Sequence, residues 1–179
     1  EGSIEQKVGD FYSSGLDTKT INNLGYQPIK PILKEIDNIK NVSGLMAFVT
    51  KEITSGNYSI IGMGVSPDNE NSSVNILHFG QAGLGLPDRD YYFKSDSVTV
   101  AIQNAYKNYL TTLFALSENK TPKEKAATVY AIEKKIAASH KTRIERRNVK
   151  ANYNKMAVAK INKSHSHIGW SRLLKQLNL

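Results

Sequence analysis

The side chains able to do chemistry are few and scattered. Four histidines are present, His78, His140, His165 and His167, followed by Phe, Lys, Ser and Ile. None therefore opens the His-Glu-x-x-His pattern that sets two imidazoles and a carboxylate on one helical face for zinc-assisted hydrolysis. His165-Ser166-His167 is the pair spaced to share a metal, but without a third ligand nearby it reads as a polar surface loop. Asp88 and Asp90 flank Arg89. Paired carboxylates can divide acid and base roles, yet one-residue spacing around a guanidinium fits salt bridging or turn capping better. A small active site would have to combine Asp88 and Asp90 with His78. Gly62-Met63-Gly64 and Gly83-Leu84-Gly85 each begin a dinucleotide-binding fingerprint, but the third glycine position holds Pro67 in one and Asp88 in the other, so both fail. No glycine-rich lysine loop, no Gly-x-Ser-x-Gly elbow and no cysteine occurs, which removes phosphate-loop, serine-elbow and thiol chemistry. Asn-x-Ser/Thr sequons at Asn41, Asn57, Asn71, Asn119 and Asn162 carry little weight in a chain rich in Asn and Ser. The residues thus assign no catalytic group and no metal ligand.

The elements that would position any site fall into two halves. Ile4, Val8, Phe11 and Tyr12 repeat at helical spacing up to Ser13-Ser14-Gly15. Asp17-Thr18 suits the cap of a turn. Ile29, Ile32, Leu33, Ile36 and Ile39 mark one face of a second helix, with Pro28 and Pro31 in its first turn. A third helix, capped by Ser43, runs through Leu45, Met46, Phe48, Val49 and Ile53 to Gly56. The period then becomes extended over 58–65 and 73–79 around the turn Pro67–Asn71, which predicts a β-hairpin at about residues 58–79. After Gly83–Phe93, Ser95 or Ser97 opens a long helix with Val98, Ala101, Ile102, Ala105, Tyr109, Leu113 and Phe114 turned inward. Thr121-Pro122-Lys123-Glu124 supplies a capping box for the next helix. Its Glu133 lies beside the apolar stripe, where a carboxylate requires a partner; Arg143, Arg146 and Arg147 are the candidates. Shorter helices are expected at Met156–Ile161 and Trp170–Leu177. The fold class is mainly α, one multi-helical lobe spanning 1–179 with one small β-hairpin.

Composition narrows the function class. The chain has 179 residues, 40% hydrophobic, with net charge +8; disorder is excluded and one packed domain, or part of a larger one, is expected. Residues 118–179 hold 15 Lys and Arg against 4 Glu, whereas residues 1–117 hold 9 basic against 12 acidic residues. That asymmetry raises a stand-alone basic module for nucleic acid or an anionic surface. The basic residues lack the interleaved aromatics of a single-strand binder, so a face awaiting an acidic partner is favoured and no nucleic acid is expected. No run reaches the roughly 18 apolar residues of a membrane-spanning helix. Glu1-Gly2-Ser3 does not read as a signal peptide.

The run Gly83-Leu84-Gly85-Leu86-Pro87-Asp88-Arg89-Asp90-Tyr91-Tyr92-Phe93 is the least ordinary in the chain, and it reads first as a rigid connector. Together with Phe11-Tyr12-Ser13-Ser14, Gly25-Tyr26-Gln27-Pro28-Ile29, Glu133-Lys134-Lys135-Ile136-Ala137, Arg147-Asn148 and Tyr153-Asn154-Lys155-Met156, it resembles the N-terminal part of the neprilysin and endothelin-converting-enzyme family of zinc metallopeptidases, its bacterial members above all. Trp170 falls where that family tends to have a tryptophan, and Gly15 where animal relatives carry a disulfide cysteine. The resemblance implies two helical lobes around a water-filled chamber, with zinc, its ligands and the glutamate base near the C-terminal end of the parent, beyond Leu179. It implies that this chain is the lobe limiting entry to short peptides, partnered by the catalytic lobe of the same polypeptide, inactive alone and without a cofactor of its own. An extracytoplasmic location, periplasmic, secreted or lipid-anchored, is implied for the parent. The residues carrying this family signature are Gly85, Leu86, Pro87, Arg89, Asp90, Tyr91, Tyr92, Tyr153, Asn154, Lys155 and Met156, with Arg89 and Asp90 expected to act as internal locks.

Overall fold

The computed structural model describes residues 2–57 and 60–178, and its fold is mainly helical with a single two-stranded antiparallel sheet among the described residues. Helix α1 (Ile4–Leu16) starts where the Ser3 hydroxyl accepts the Gln6 N–H. The expected turn at Asp17-Thr18 is instead a second helix, α2 (Thr18–Leu24), because Asp17 caps it by accepting the Thr20 N–H. A 3-10 turn at Gln27–Ile29 leads into α3 (Lys30–Asp37). The cap of α4 (Val42–Thr54) is Asn41, two residues before the expected Ser43, and its side chain accepts the Gly44 N–H.

Strands β1 (Ile61–Pro67) and β2 (Asn75–Gln81) form the hairpin, in a register running from Ile61 opposite Gln81 to Pro67 opposite Asn75. Both lie two or three residues later than the periodicity suggests; the expected start at Tyr58-Ser59 falls outside the described residues. Asp68 sets the frame. Its N–H donates to Val74 O across the turn (2.9 Å) and its carboxylate accepts the Glu70 N–H.

The second half begins with a helix that the sequence did not announce, α5 (Asp90–Phe93). Helix α6 (Ser97–Leu116) is capped by Asp96, which lies between the two serines expected for that role. Helix α7 (Pro122–Ser139) begins at Pro122 as expected, but the Thr121–Glu124 capping box does not form: the Thr121 N–H is taken by Asn119 Oδ1, and the Thr121 side chain caps nothing. A full capping box occurs instead between Thr142 and Glu145, opening α8 (Arg143–Arg146). Then follow α9 (Val149–Asn152), α10 (Val158–Ser164), a 3-10 turn at Ser166–Ile168, and α11 (Trp170–Gln176). Met156 precedes α10 rather than starting it.

Two packing centres result. One holds Leu86, Tyr92, Tyr130 and Ala137, with Leu84, Tyr91, Ile102 and Tyr106 against them, where α5 and α6 meet α7. The other joins α4 to α11 through buried Met46, Val49, Trp170, Leu173 and Leu174, and Trp170 also meets Phe79 of β2 edge-on at 4.8 Å. By contrast, none of α1, α2 or α3 buries a residue. The expected inward stripe of α6 is also corrected. Thr99 and Leu110 are buried and Ile102, Gln103 and Tyr106 half-buried, while Val98, Ala101, Ala105, Tyr109 and Leu113 are exposed. The packed face is turned by about one residue, roughly 100°, because the tyrosine and glutamine needed to satisfy α5 and α7 take the inner positions.

Candidate functional site

The junction run is held by a buried polar hub. The Leu86 N–H donates to Tyr92 Oη (3.0 Å), the Tyr92 O–H donates to Glu133 Oε2 (2.9 Å), and the Tyr106 O–H donates to Glu133 Oε1 (2.8 Å). Tyr92 is only 1% exposed, so its hydroxyl must find partners inside the protein. Helix α7 supplies the acceptor and α5 and α6 the two donors, which ties three helices to one carboxylate. The expected pairing of Glu133 with Arg143, Arg146 or Arg147 is therefore wrong: neutral hydroxyls fill both its oxygens. Burial, reinforced by the neighbouring carboxylate, pushes both phenols well above the ordinary tyrosine range, so they remain protonated donors. Gly85 is required by close approach. A Cβ at this position would stand 1.9 Å from Tyr106 Oη and 2.6 Å from its Cζ.

The two aspartates beside Arg89 do not share it. Asp88 takes Arg143 of α8 at 2.6 Å and also accepts the Asp90 N–H. Asp90 sits at the start of α5, where its charge favours the helix N-terminus, and only distant approaches of 3.9 Å connect it to Arg89 and Lys94. Arg89 instead directs its Nε to Ala137 O at 3.5 Å, at the end of α7, and lies over the Phe93 ring. Arg89 is thus a lock between elements, whereas its expected internal contact with Asp90 is only the 3.9 Å approach. Pro87 is exposed in the turn, and Tyr91 O accepts from Gln103 of α6.

Tyr153 and Lys155 meet a partner that sequence reasoning passed over as a turn residue. Asp68, at the hairpin tip, is 2% exposed; the Tyr153 O–H donates to its Oδ1 (2.8 Å) and Lys155 Nζ to its Oδ2 (2.5 Å). The Lys155 ammonium, helped by the Glu70 N–H, holds the Asp68 carboxyl down at about 2, and Asp68 in turn raises Lys155. Asn154 donates to Asn152 O, and Met156 is exposed. A Pro-Asp pair in a turn whose phenol and ammonium partners lie 85 and 87 residues further along the chain carries no local signal for this contact.

The three histidines whose side chains are described, His78, His140 and His165, are not brought together. His78 Nε2 lies 3.2 Å from Pro67 O, His165 Nδ1 contacts Ser164 Oγ, and His140 ends α7 beside the Ala82 backbone; the His167 side chain lies outside the described residues. Burial, with help from Arg146 and Arg89, pulls His140 below the ordinary imidazole range. His78 bonds within the hairpin whereas Asp88 bonds to α8, so the three-residue active site considered above is not assembled. A half-open crevice of about 530 Å³ lies between α4 and the α10–α11 region, lined by Met46, Thr50, Asn162, Ile168 and Arg172 among others. Among the described residues, no catalytic pair of titratable groups lines it.

The fold is that of a mainly helical lobe whose polar hubs fix its loops. The whole chain, residues 1–179, matches the N-terminal profile of peptidase family M13; the chain belongs to that family. It is 27% identical over 192 residues to human endothelin-converting enzyme-like 1, covering 98% of this chain and 24% of that protein. Against mouse neprilysin it is 29% identical, covering 90% and 24%. The fold superposes on the Mycobacterium tuberculosis zinc metalloprotease Zmp1 with a TM-score of 0.78 at 30% identity, over 90% of this chain and 25% of that one. The chain thus spans about a quarter of the length of the relatives it matches and corresponds to their N-terminal part. Zinc, the metal named for Zmp1, does not fit the residues present: no group of three or more His, Asp or Glu side chains converges among the described residues. No described helix is long and apolar enough to cross a membrane.

Proposed function

We propose that this chain is the chamber-forming lobe of an M13 zinc metalloendopeptidase, limiting access to short peptides while the hydrolytic machinery is carried by another part of the enzyme. The observation that carries this reading is the full-length match to the family's N-terminal part by a chain whose relatives are about four times as long. The geometry supports it: the family-signature residues are spent on anchoring. Gly85, Leu86, Tyr92 and, through Ala137, Arg89 fix the junction to α7, with Pro87, Asp90 and Tyr91 shaping its turn and first helix. Tyr153 and Lys155 fix the hairpin tip, with Asn154 and Met156 completing that run. Such anchoring suits a wall that must keep its shape. The partner is the catalytic portion of the same enzyme, zinc belongs to that portion, and the setting is extracytoplasmic. Nothing in the geometry or the relatives favours a free-standing nucleic-acid or anionic-surface binder.

The test compares the 179-residue chain with the protein as its gene encodes it, each assayed on a quenched fluorescent peptide and on a folded protein substrate. Chelator-sensitive cleavage of the short peptide by the gene product alone is expected. Cleavage by the 179-residue chain, or no peptide cleavage by the gene product, overturns the reading.

A further inference from the structure

The crevice between α4 and the α10–α11 region offers hydrogen-bond donors and one cation without a counter-charge. Ser43 of α4, Ser166, and Ser171 and Arg172 of α11 line it, and among the described residues of its lining there is no aspartate or glutamate. The Arg172 side chain is exposed and forms no ion pair with any described residue. Asn162 of α10 holds that wall in shape: its side-chain amide donates to Ser171 Oγ at 2.7 Å, and its side-chain oxygen accepts the Ser171 N–H at 3.2 Å. The Ser171 O–H is left to donate elsewhere. Thr50 spends its hydroxyl on Met46 O, and Val42, Met46 and Ile168 supply apolar wall. Helices α10 and α11 carry Lys160, Lys163, Arg172 and Lys175 and no acidic residue, so the potential on that side of the crevice is positive. The volume of about 530 Å³ lies within the roughly 300–1,000 Å³ of small-molecule sites.

We propose that this crevice binds a small organic carboxylate, its charge held by Arg172 and the serine hydroxyls and its apolar tail laid on Val42, Met46 and Ile168. A guanidinium presents two parallel N–H donors at the spacing of the two carboxylate oxygens. One cation balances one negative charge, which favours a monoanion over a phosphate dianion. Apolar wall beside a small donor set favours an acid with a short hydrocarbon tail over a bare anion. The inference goes beyond the lobe's part in peptide hydrolysis and does not depend on it, because every group invoked belongs to the crevice itself.

The test uses the gene-encoded protein, with hexanoate as the probe and ligand-observed NMR as the readout. Saturable binding of hexanoate is expected. Hexanamide, which keeps the tail and loses the charge, should bind at least tenfold more weakly, and so should acetate, which keeps the charge and loses the tail. Arg172→Gln should weaken hexanoate at least tenfold. Lys175→Gln removes the same charge from the same helix but outside the crevice lining, and should change binding less than twofold. Thermal melts check that both variants of these exposed residues fold as the parent does. No saturable binding of hexanoate, equal binding of hexanamide, or inorganic phosphate binding as tightly as hexanoate overturns the proposal. An equal loss in the two variants, which would reduce the effect to general charge attraction, overturns it as well.

Discussion

Two carboxylates organise this molecule, and they do it by different chemistry. Glu133 receives two neutral phenol hydroxyls, from Tyr92 and Tyr106, inside the helical half. Asp68 receives an ammonium and a phenol, from Lys155 and Tyr153, at the tip of the hairpin. The first hub sits beside the Leu86, Tyr92, Tyr130 and Ala137 core, where charge would be costly, and neutral donors satisfy it without adding a second buried ion. The second joins a turn to a segment 85 residues away; its lysine stem stays half exposed, so a cation is tolerated there. Asp68 is itself buried, so the difference teaches that the donor is selected by its own access to water: Lys155 keeps its stem half exposed, whereas Tyr92 is enclosed.

The sharpest way to break the first hub is Gly85→Ala, whose methyl group would collide with the Tyr106 hydroxyl. We expect a loss of about 3 kcal/mol, read from urea unfolding. Adding Tyr106→Phe should restore only part of it, since the ring carbon stays 2.6 Å from the new Cβ; full additivity of the two losses would show that the contact is not the cause. Next comes Glu133→Gln. Its amide can accept one hydroxyl and leaves the other without an acceptor, at about 1–3 kcal/mol; an unchanged urea midpoint would remove the hub from the account.

The second hub is distinguished by its acid sensitivity. Asp68 has a folded pKa of about 2 against an ordinary 3.8, so its contribution is complete above roughly pH 5 and is lost as pH falls through 3.8 towards 2. Asp68→Asn should lower stability at pH 7 and flatten that acid limb. Thermal melts between pH 2 and 7 decide; a limb as steep in the variant as in the parent protein contradicts this account. The smallest expected effect belongs to His140. Its folded pKa lies below 6.5, so the unfolded chain binds the extra proton, and stability is full above pH 6.5 and declines as pH falls below it. His140→Gln should remove that shallow slope.

Local signals carried well as far as they reached. Pro122 began its helix, Gly56 followed the end of another with φ of 76°, and the change of period between residues 56 and 73 announced the hairpin, because helix and strand periodicities are written in adjacent residues. Caps were harder. Asp96 was passed over for the serines beside it, and Thr121–Glu124 has the box sequence without the box, since several side chains compete for each free N–H and the winner depends on the chain's entry angle.

What the sequence determined by itself was the helical class, the hairpin and, through Gly85-Leu86-Pro87 with Tyr153-Asn154-Lys155-Met156, a likeness to one peptidase family. Which face of α6 packs, which partners Glu133 takes and why Asp68 is buried were decided only in three dimensions. These contacts join residues 27 to 87 positions apart, and no local pattern encodes a hydrogen bond whose donor and acceptor meet only when separate helices have docked.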